Sequence, residues 1–171
     1  PRHLPPDDRR RGPAGGRRGG GGGVSEAGYS GTPLPRKLGM GPGHRVAFPG
    51  APDGFAGRFD GVGVDRRERL RFPLDVIVLF ATSAAGLRRR FPAAKRALAF
   101  DGGLWVAWPK RSSGVPTDLS FDAVQPVGLD AGLVDNKVCA IDEVWSALRF
   151  VYRVEDRPGG TRRPVREAPG R

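Results

Sequence analysis

Two stretches limit what this chain can become: Val76 to Phe80, VIVLF, and Leu104 to Trp108, LWVAW. Each is an uninterrupted apolar run rich in β-branched or aromatic residues, without the polar alternation of a strand wetted on one face. Strands of this kind need cover on both sides. Between them, Leu87, Phe91, Ala94 and Leu98 recur at helical spacing behind Ser83, whose hydroxyl suits a helix N-cap. Arg88, Arg89, Arg90, Lys95 and Arg96 fall on the opposite face, and Pro92 is expected to kink or restart the helix.

The flanking elements extend this pattern. A short helix is expected around Pro33 to Leu38, closed by Gly39, followed by a strand from Arg45 to Phe48 and a short second strand over Gly61 to Asp65. Asp101-Gly102-Gly103 reads as a turn before the second apolar run. Ser120 can cap a helix reaching towards Ala131 and ended by Gly132, with Pro126 disturbing its regularity. Lys137 to Ile141 and Ala147 to Val154 read as two antiparallel strands, because Leu148, Phe150 and Tyr152 alternate with Arg149, Val151 and Arg153. Strand, helix, strand, helix and a terminal hairpin together predict an α/β three-layer sandwich with a mainly parallel sheet and a C-terminal antiparallel hairpin.

The charge of +11 looks like a nucleic-acid signature until it is divided along the chain. Residues 1–24 carry six Arg against Asp7 and Asp8, and residues 157–171 carry five Arg against Glu167, so each end contributes +4. Residues 25–156 hold 18 basic and 15 acidic side chains, only +3, whereas a duplex-binding domain keeps its positive stripe within the fold. The expected organisation is a disordered Arg/Gly/Pro-rich tail over 1–27, one domain over 28–156 and a disordered basic tail over 157–171. Arg and Gly together can mark an RNA-contacting arm, but no aromatic residues are interleaved with them. The chain begins with Pro1, and its first two dozen residues are set aside from the fold reading. One cysteine, Cys139, allows no internal disulfide, and no run of about 18 apolar residues suits a bilayer. A cytoplasmic protein without membrane contact is expected.

Parallel sheets bind ligands beyond the carboxyl ends of their strands. On that rule Pro49-Gly50-Ala51-Pro52, Asp65, Thr82-Ser83 and Pro109 to Asp118 share one edge. Lys110, Ser112 and Ser113 are candidates to hold an anion with help from backbone N–H groups; a surface lysine at a strand end is the plain alternative. Trp105 and Trp108 lie on opposite faces of their strand, so at most Trp108 or Trp105 can face a cleft, and two core tryptophans are the simpler reading. Thr117 and Asp118 fit a ligand contact, or a turn or cap before the next helix. Asp142 and Glu143 fit a hairpin turn better than an acid and base pair. Cys139 reads as a small buried hydrophobe, and two histidines with one cysteine make a metal site unexpected. Gly39, Gly41 and Gly43 precede a strand, whereas a phosphate-binding fingerprint must follow one.

The blocks GYSGTPLPRKLG, DGGLWVAWPKRSSGVPTDL and GLVDNKVCAIDEVWSALRFV resemble a family of small bacterial proteins filed as domain of unknown function 3052, over roughly residues 28–154. That resemblance implies a Rossmann-like fold and no assigned activity. The chain departs from the family pattern in a shortened region between Phe55 and Phe72 and at Pro126. More distantly, LGMGPGHRVAFPGAP and LAFDGGLWVAWP resemble the outline of class I methyltransferases, whose terminal antiparallel strand matches the hairpin. Their cofactor loop is glycine-rich because the backbone approaches the cofactor closely, while here Phe48-Pro49-Gly50-Ala51-Pro52 holds one glycine between two prolines. Asp65 would accept hydrogen bonds from a ribose if it ends the second strand.

Three functions therefore stand. The first is a Rossmann-like module binding a small anionic or nucleotide-like ligand through Gly50, Trp108, Lys110, Ser112, Ser113, Thr117 and Asp118. The second is an S-adenosylmethionine-dependent methyltransferase with a degenerate loop, in which Gly50 and Asp65 contact the cofactor. The third is a regulatory or nucleic-acid-associated protein using the arginine face of residues 88–96 and the tails. The sequence decides neither catalysis, nor a cofactor, nor the oligomeric state.

Overall fold

The computed structural model describes residues 31–159, so the expected tail over 1–27, residues 28–30 and residues 160–171 of the second expected tail lie outside the described residues. Within them a six-stranded sheet runs in the order β2-β1-β3-β4-β6-β5, with β1 Arg45–Ala47, β2 Asp65–Arg66, β3 Leu74–Phe80, β4 Leu98–Pro109, β5 Leu133–Ala140 and β6 Trp145–Tyr152. The first four strands are parallel; β6 is antiparallel to both β4 and β5. The hairpin's second strand is thus inserted between β4 and its own partner, which leaves β5 at the edge. This is the expected α/β, Rossmann-like sandwich.

The two apolar runs occupy β3 and β4, in the middle of the sheet, where burial on both faces explains their lack of alternation. Leu79, Val106, Leu148 and Phe150 face a layer made by α2 Ala84–Ala97 and α3 Phe121–Asp130. Val78, Phe80, Trp105 and Ala147 face the other side, covered by the single-turn α1 Leu34–Lys37 and a 3₁₀ turn at Ala56–Phe59. The second layer is thin. Phe48, Phe55, Phe59 and Phe80 compensate by packing ring on ring, with centroids 4.8–5.2 Å apart. Trp105 and Trp108 are core residues on opposite faces, Trp105 fully buried with its indole N–H donating to the Leu38 carbonyl at 3.1 Å and Trp108 in the cluster beneath the helices.

Three expectations need correction. Pro92 neither breaks nor restarts α2, which is continuous from Ala84 to Ala97. Pro92 sits on the exposed face, where water can satisfy the Arg88 carbonyl it leaves behind, while Leu87, Phe91 and Ala94 hold the other face in the core. Pro126 is likewise accommodated within α3. Asp101-Gly102-Gly103 is no turn: β4 begins at Leu98, directly after α2, and these residues form a bulge opposite Leu74 to Val76. Gly102 is required there, since a Cβ would stand 2.7 Å from the Asp75 carbonyl oxygen.

Candidate functional site

The chain leaves β1 towards β2 on one side and returns to β3 on the other, so the topological switch point lies beyond the carboxyl ends of β1 and β3. The crevice there is stitched shut. Phe80 N–H donates to the Pro49 carbonyl at 3.0 Å, the Arg90 guanidinium donates to the Phe80 carbonyl, and Gly50, at φ +73°, lies flat against both. Arg90 is the one member of the arginine face that reaches this edge. Lys95 is also drawn inward, to the Ala131 carbonyl, leaving Arg88, Arg89 and Arg96 exposed.

An open hollow of about 430 Å³ lies one strand over, beyond β1 and β2, lined by Phe48, Gly50, Asp53, Gly54, Gly57 and Arg66 among others. Its size is that of a small-ligand site. Gly50 lies in its lining; Asp65 does not. Asp65 opens β2 rather than ending it, level with Arg45, and its carboxylate takes two hydrogen bonds from Arg67, at 2.9 and 2.7 Å. Those bonds hold Asp65 below the ordinary carboxylate range. The residue that ends β2 and lines the hollow is Arg66. Its place directly after Asp65 was the available signal, masked by the expectation of an acidic residue there.

The loop after β4 shares the same sheet edge, but most of its polar groups serve the backbone. Ser113 Oγ donates to the Lys110 carbonyl at 2.6 Å and accepts from Val115 N–H, closing a 3₁₀ turn over Arg111–Ser113. Ser112 is exposed. Lys110 N–H donates to the Val144 carbonyl, fixing the loop to the hairpin turn. Thr117 Oγ donates to the Thr82 carbonyl at 2.7 Å, and Asp118 Oδ1 accepts from Ala84 N–H at 2.8 Å. Asp118 therefore caps α2, the helix after the neighbouring strand, and not α3, whose own cap is Ser120. Ser83 caps α2 from within the chain, accepting from Gly86 N–H at 3.1 Å. Asp142 closes the hairpin turn by accepting from Val144 and Trp145 N–H and pairs with Arg58 at 2.9 Å, as a turn residue would.

A second hollow of about 450 Å³ lies on the α1 side, against β5, and includes Thr32, Lys37, Lys137, Cys139 and Ser146 in its lining. Burial pushes the Cys139 thiol above its ordinary range, against the pull of the Lys37, Lys137 and Lys110 ammoniums. Among the described residues no group of three His, Cys, Asp or Glu is placed to hold a metal ion, and no helix is long and apolar enough to cross a membrane.

No family model and no curated protein matches the sequence, so the resemblance to domain of unknown function 3052 rests on its sequence blocks alone. Among solved structures the chain is similar to a fibrillarin pre-rRNA processing protein of Methanococcus jannaschii, at 12% identity and TM-score 0.47, over 73% of this chain and 70% of that one. It is also similar to Aeropyrum pernix fibrillarin with natively bound S-adenosyl-L-methionine, at 13% identity and TM-score 0.45, over 70% and 69%. A third likeness is to the B. subtilis tRNA methyltransferase TrmK, at 11% identity and TM-score 0.43, over 73% and 67%. These are partial likenesses of fold, and the architecture assigned to this chain stands on its own strand order.

Proposed function

We propose that the protein is a Rossmann-like binding module whose ligand carries a phosphate-type group, held by Arg66 above the Gly50 turn. The observation that carries this reading is the charge at the end of β2: Arg66 stands where a ribose-binding strand would present a carboxylate, with the carboxylate of this hollow supplied instead by Asp53 of the loop after β1. A guanidinium meets a phosphate through paired hydrogen bonds, whereas it has no acceptor for a sugar diol. The Gly50 turn, without a side chain, lets the ligand approach the backbone closely. Lys110 and Ser112 lie along the same carboxyl edge and would meet the far end of an extended ligand.

The test is isothermal titration calorimetry of the full chain with ADP, adenosine and S-adenosylmethionine. ADP should bind, adenosine should bind at least about tenfold more weakly, and Arg66→Ala should cost ADP about tenfold in affinity. Binding of S-adenosylmethionine in preference to ADP, or ADP binding indifferent to Arg66, would overturn it. The first of those outcomes favours the methyltransferase reading, which the reversed strand between β4 and β5 supports. For the nucleic-acid reading, the arginine face of α2 offers the exposed Arg88, Arg89 and Arg96, and the segment around β2 offers the exposed Arg66, Arg67, Arg69 and Arg71.

A further inference from the structure

A third hollow, of about 370 Å³, lies at the other end of the strands, beside Arg45 at the start of β1, Pro73 ahead of β3 and Asp101 in the bulge of β4. Its size again suits a small ligand. In that bulge a single β3 residue, Asp75, faces the β4 residues Ala99 to Gly102, and the extra length turns Phe100 and Asp101 out to solvent. Phe72 and Phe100 are the exposed phenylalanines among the described residues, at 54% and 37%, and their rings meet at 5.6 Å on the wall of the hollow. The Tyr152 ring backs Phe100 at 5.1 Å. Two guanidiniums also line the hollow. Arg45 spends Nε and Nη2 on Asp75, and Arg157 spends the same two nitrogens on the Tyr152 carbonyl, which fixes both and, among the described residues, leaves Nη1 of each to a ligand. The exposed Asp101 carboxylate shares this lining and accepts no hydrogen bond among the described residues.

We propose that this hollow binds a free guanine mononucleotide. The Watson–Crick edge of guanine offers a ring N–H beside an exocyclic amine, two parallel donors that one carboxylate accepts together, whereas adenine presents an acceptor in place of the ring N–H. Asp101 takes that edge, Phe72 and Phe100 take the face of the base, and Arg157, with Arg45, takes the phosphate. The exposed Glu155 and Asp156 stand immediately before Arg157 and would repel the continuing backbone of a nucleic-acid strand, which favours a single nucleotide. The site is independent of the Arg66 hollow, which lies beyond the opposite, carboxyl ends of β1 and β2.

The experiment is calorimetric titration of the full chain with GMP, AMP and a short guanine-containing oligoribonucleotide. GMP should bind at least about tenfold more tightly than AMP, and the oligonucleotide no more tightly than GMP. Asp101→Asn, a nearly isosteric change at an exposed position, sets a donor beside an acceptor; it should cost GMP about tenfold and turn the preference towards AMP. Phe72→Ala should weaken GMP by about tenfold through lost stacking. Arg66→Ala should leave GMP binding intact, which separates this site from the one tested with ADP. Equal binding of GMP and AMP, a guanine preference undiminished in Asp101→Asn, GMP binding lost in Arg66→Ala, or an oligonucleotide bound more tightly than GMP would each overturn the proposal.

Discussion

Gly50 and Arg90 lie in direct contact: a Cβ built on Gly50 would stand 2.6 Å from the Arg90 guanidinium and 2.8 Å from the Phe80 carbonyl oxygen. The backbone there is left-handed as well, at φ +73°. Gly50→Ala should therefore destabilise the fold by about 1–3 kcal/mol, from backbone strain and the displaced arginine together. Urea unfolding measures it. Arg90→Ala in the same background removes one of the two clashes and should recover part of the loss; no recovery would mean that the strain is all in the backbone.

Gly128 sets two effects against each other. In an exposed helix interior, Gly→Ala gains roughly 1 kcal/mol. Here the new methyl would overlap the edge of the Phe150 ring, and overpacking a core costs about 1–3 kcal/mol. Gly128→Ala should thus lower the unfolding midpoint, and the double variant with Phe150→Leu should be less impaired than the sum of its parts. A stabilised Gly128→Ala protein would contradict the packing described.

The cross-loop cap gives a third test. Asp118→Ala leaves Ala84 N–H without its side-chain acceptor and should cost about 1 kcal/mol, with Asp118→Asn close to unchanged. An Asn variant as impaired as the Ala variant would mean that charge, and not the hydrogen bond, carries the contact.

Acid stability should depend on Asp75. Burial raises its affinity for a proton, but the hydrogen bonds from Arg45 outweigh that, and the carboxyl sits below its ordinary value. Asp75 accepts from the Arg45 backbone N–H at 2.8 Å and from its guanidinium at 3.0 and 3.1 Å. A depressed folded-state value means that the unfolded chain binds the proton more tightly, so the contribution is present above about pH 4 and is lost as pH falls below it. Asp75→Asn should flatten the stability profile across that acid range while lowering stability at neutral pH. A profile as steep as that of the parent would assign the acid sensitivity elsewhere.

The sheet was legible in the sequence because its central strands are covered on both faces, and VIVLF and LWVAW can hardly be anything else. The caps Ser83 and Ser120 and the break at Gly132 could be read for the same reason: each depends on neighbours within four residues. What could not be read depends on distant partners. Asp118 sits before α3 in sequence yet caps α2, and the DGG segment bulges only because β3 runs beside it. Arg90 looked like Arg88 and Arg89. Its spacing from Leu87 and Ala94 puts it at the rim of the buried face, a signal that the basic run concealed. The pairing of Lys37 with Lys137 spans a hundred residues, and no local pattern announces it.

The bridges from Thr117 to Thr82 and from Asp118 to Ala84 join two loops that follow neighbouring strands. Swinging either loop away breaks its bridge to the other, so the rim above β3 and β4 is expected to open as one cooperative unit. Occupancy anywhere along that rim would then be felt as a common slowing of amide hydrogen exchange in the first turn of α2 and in the segment after β4, including amides that no ligand touches.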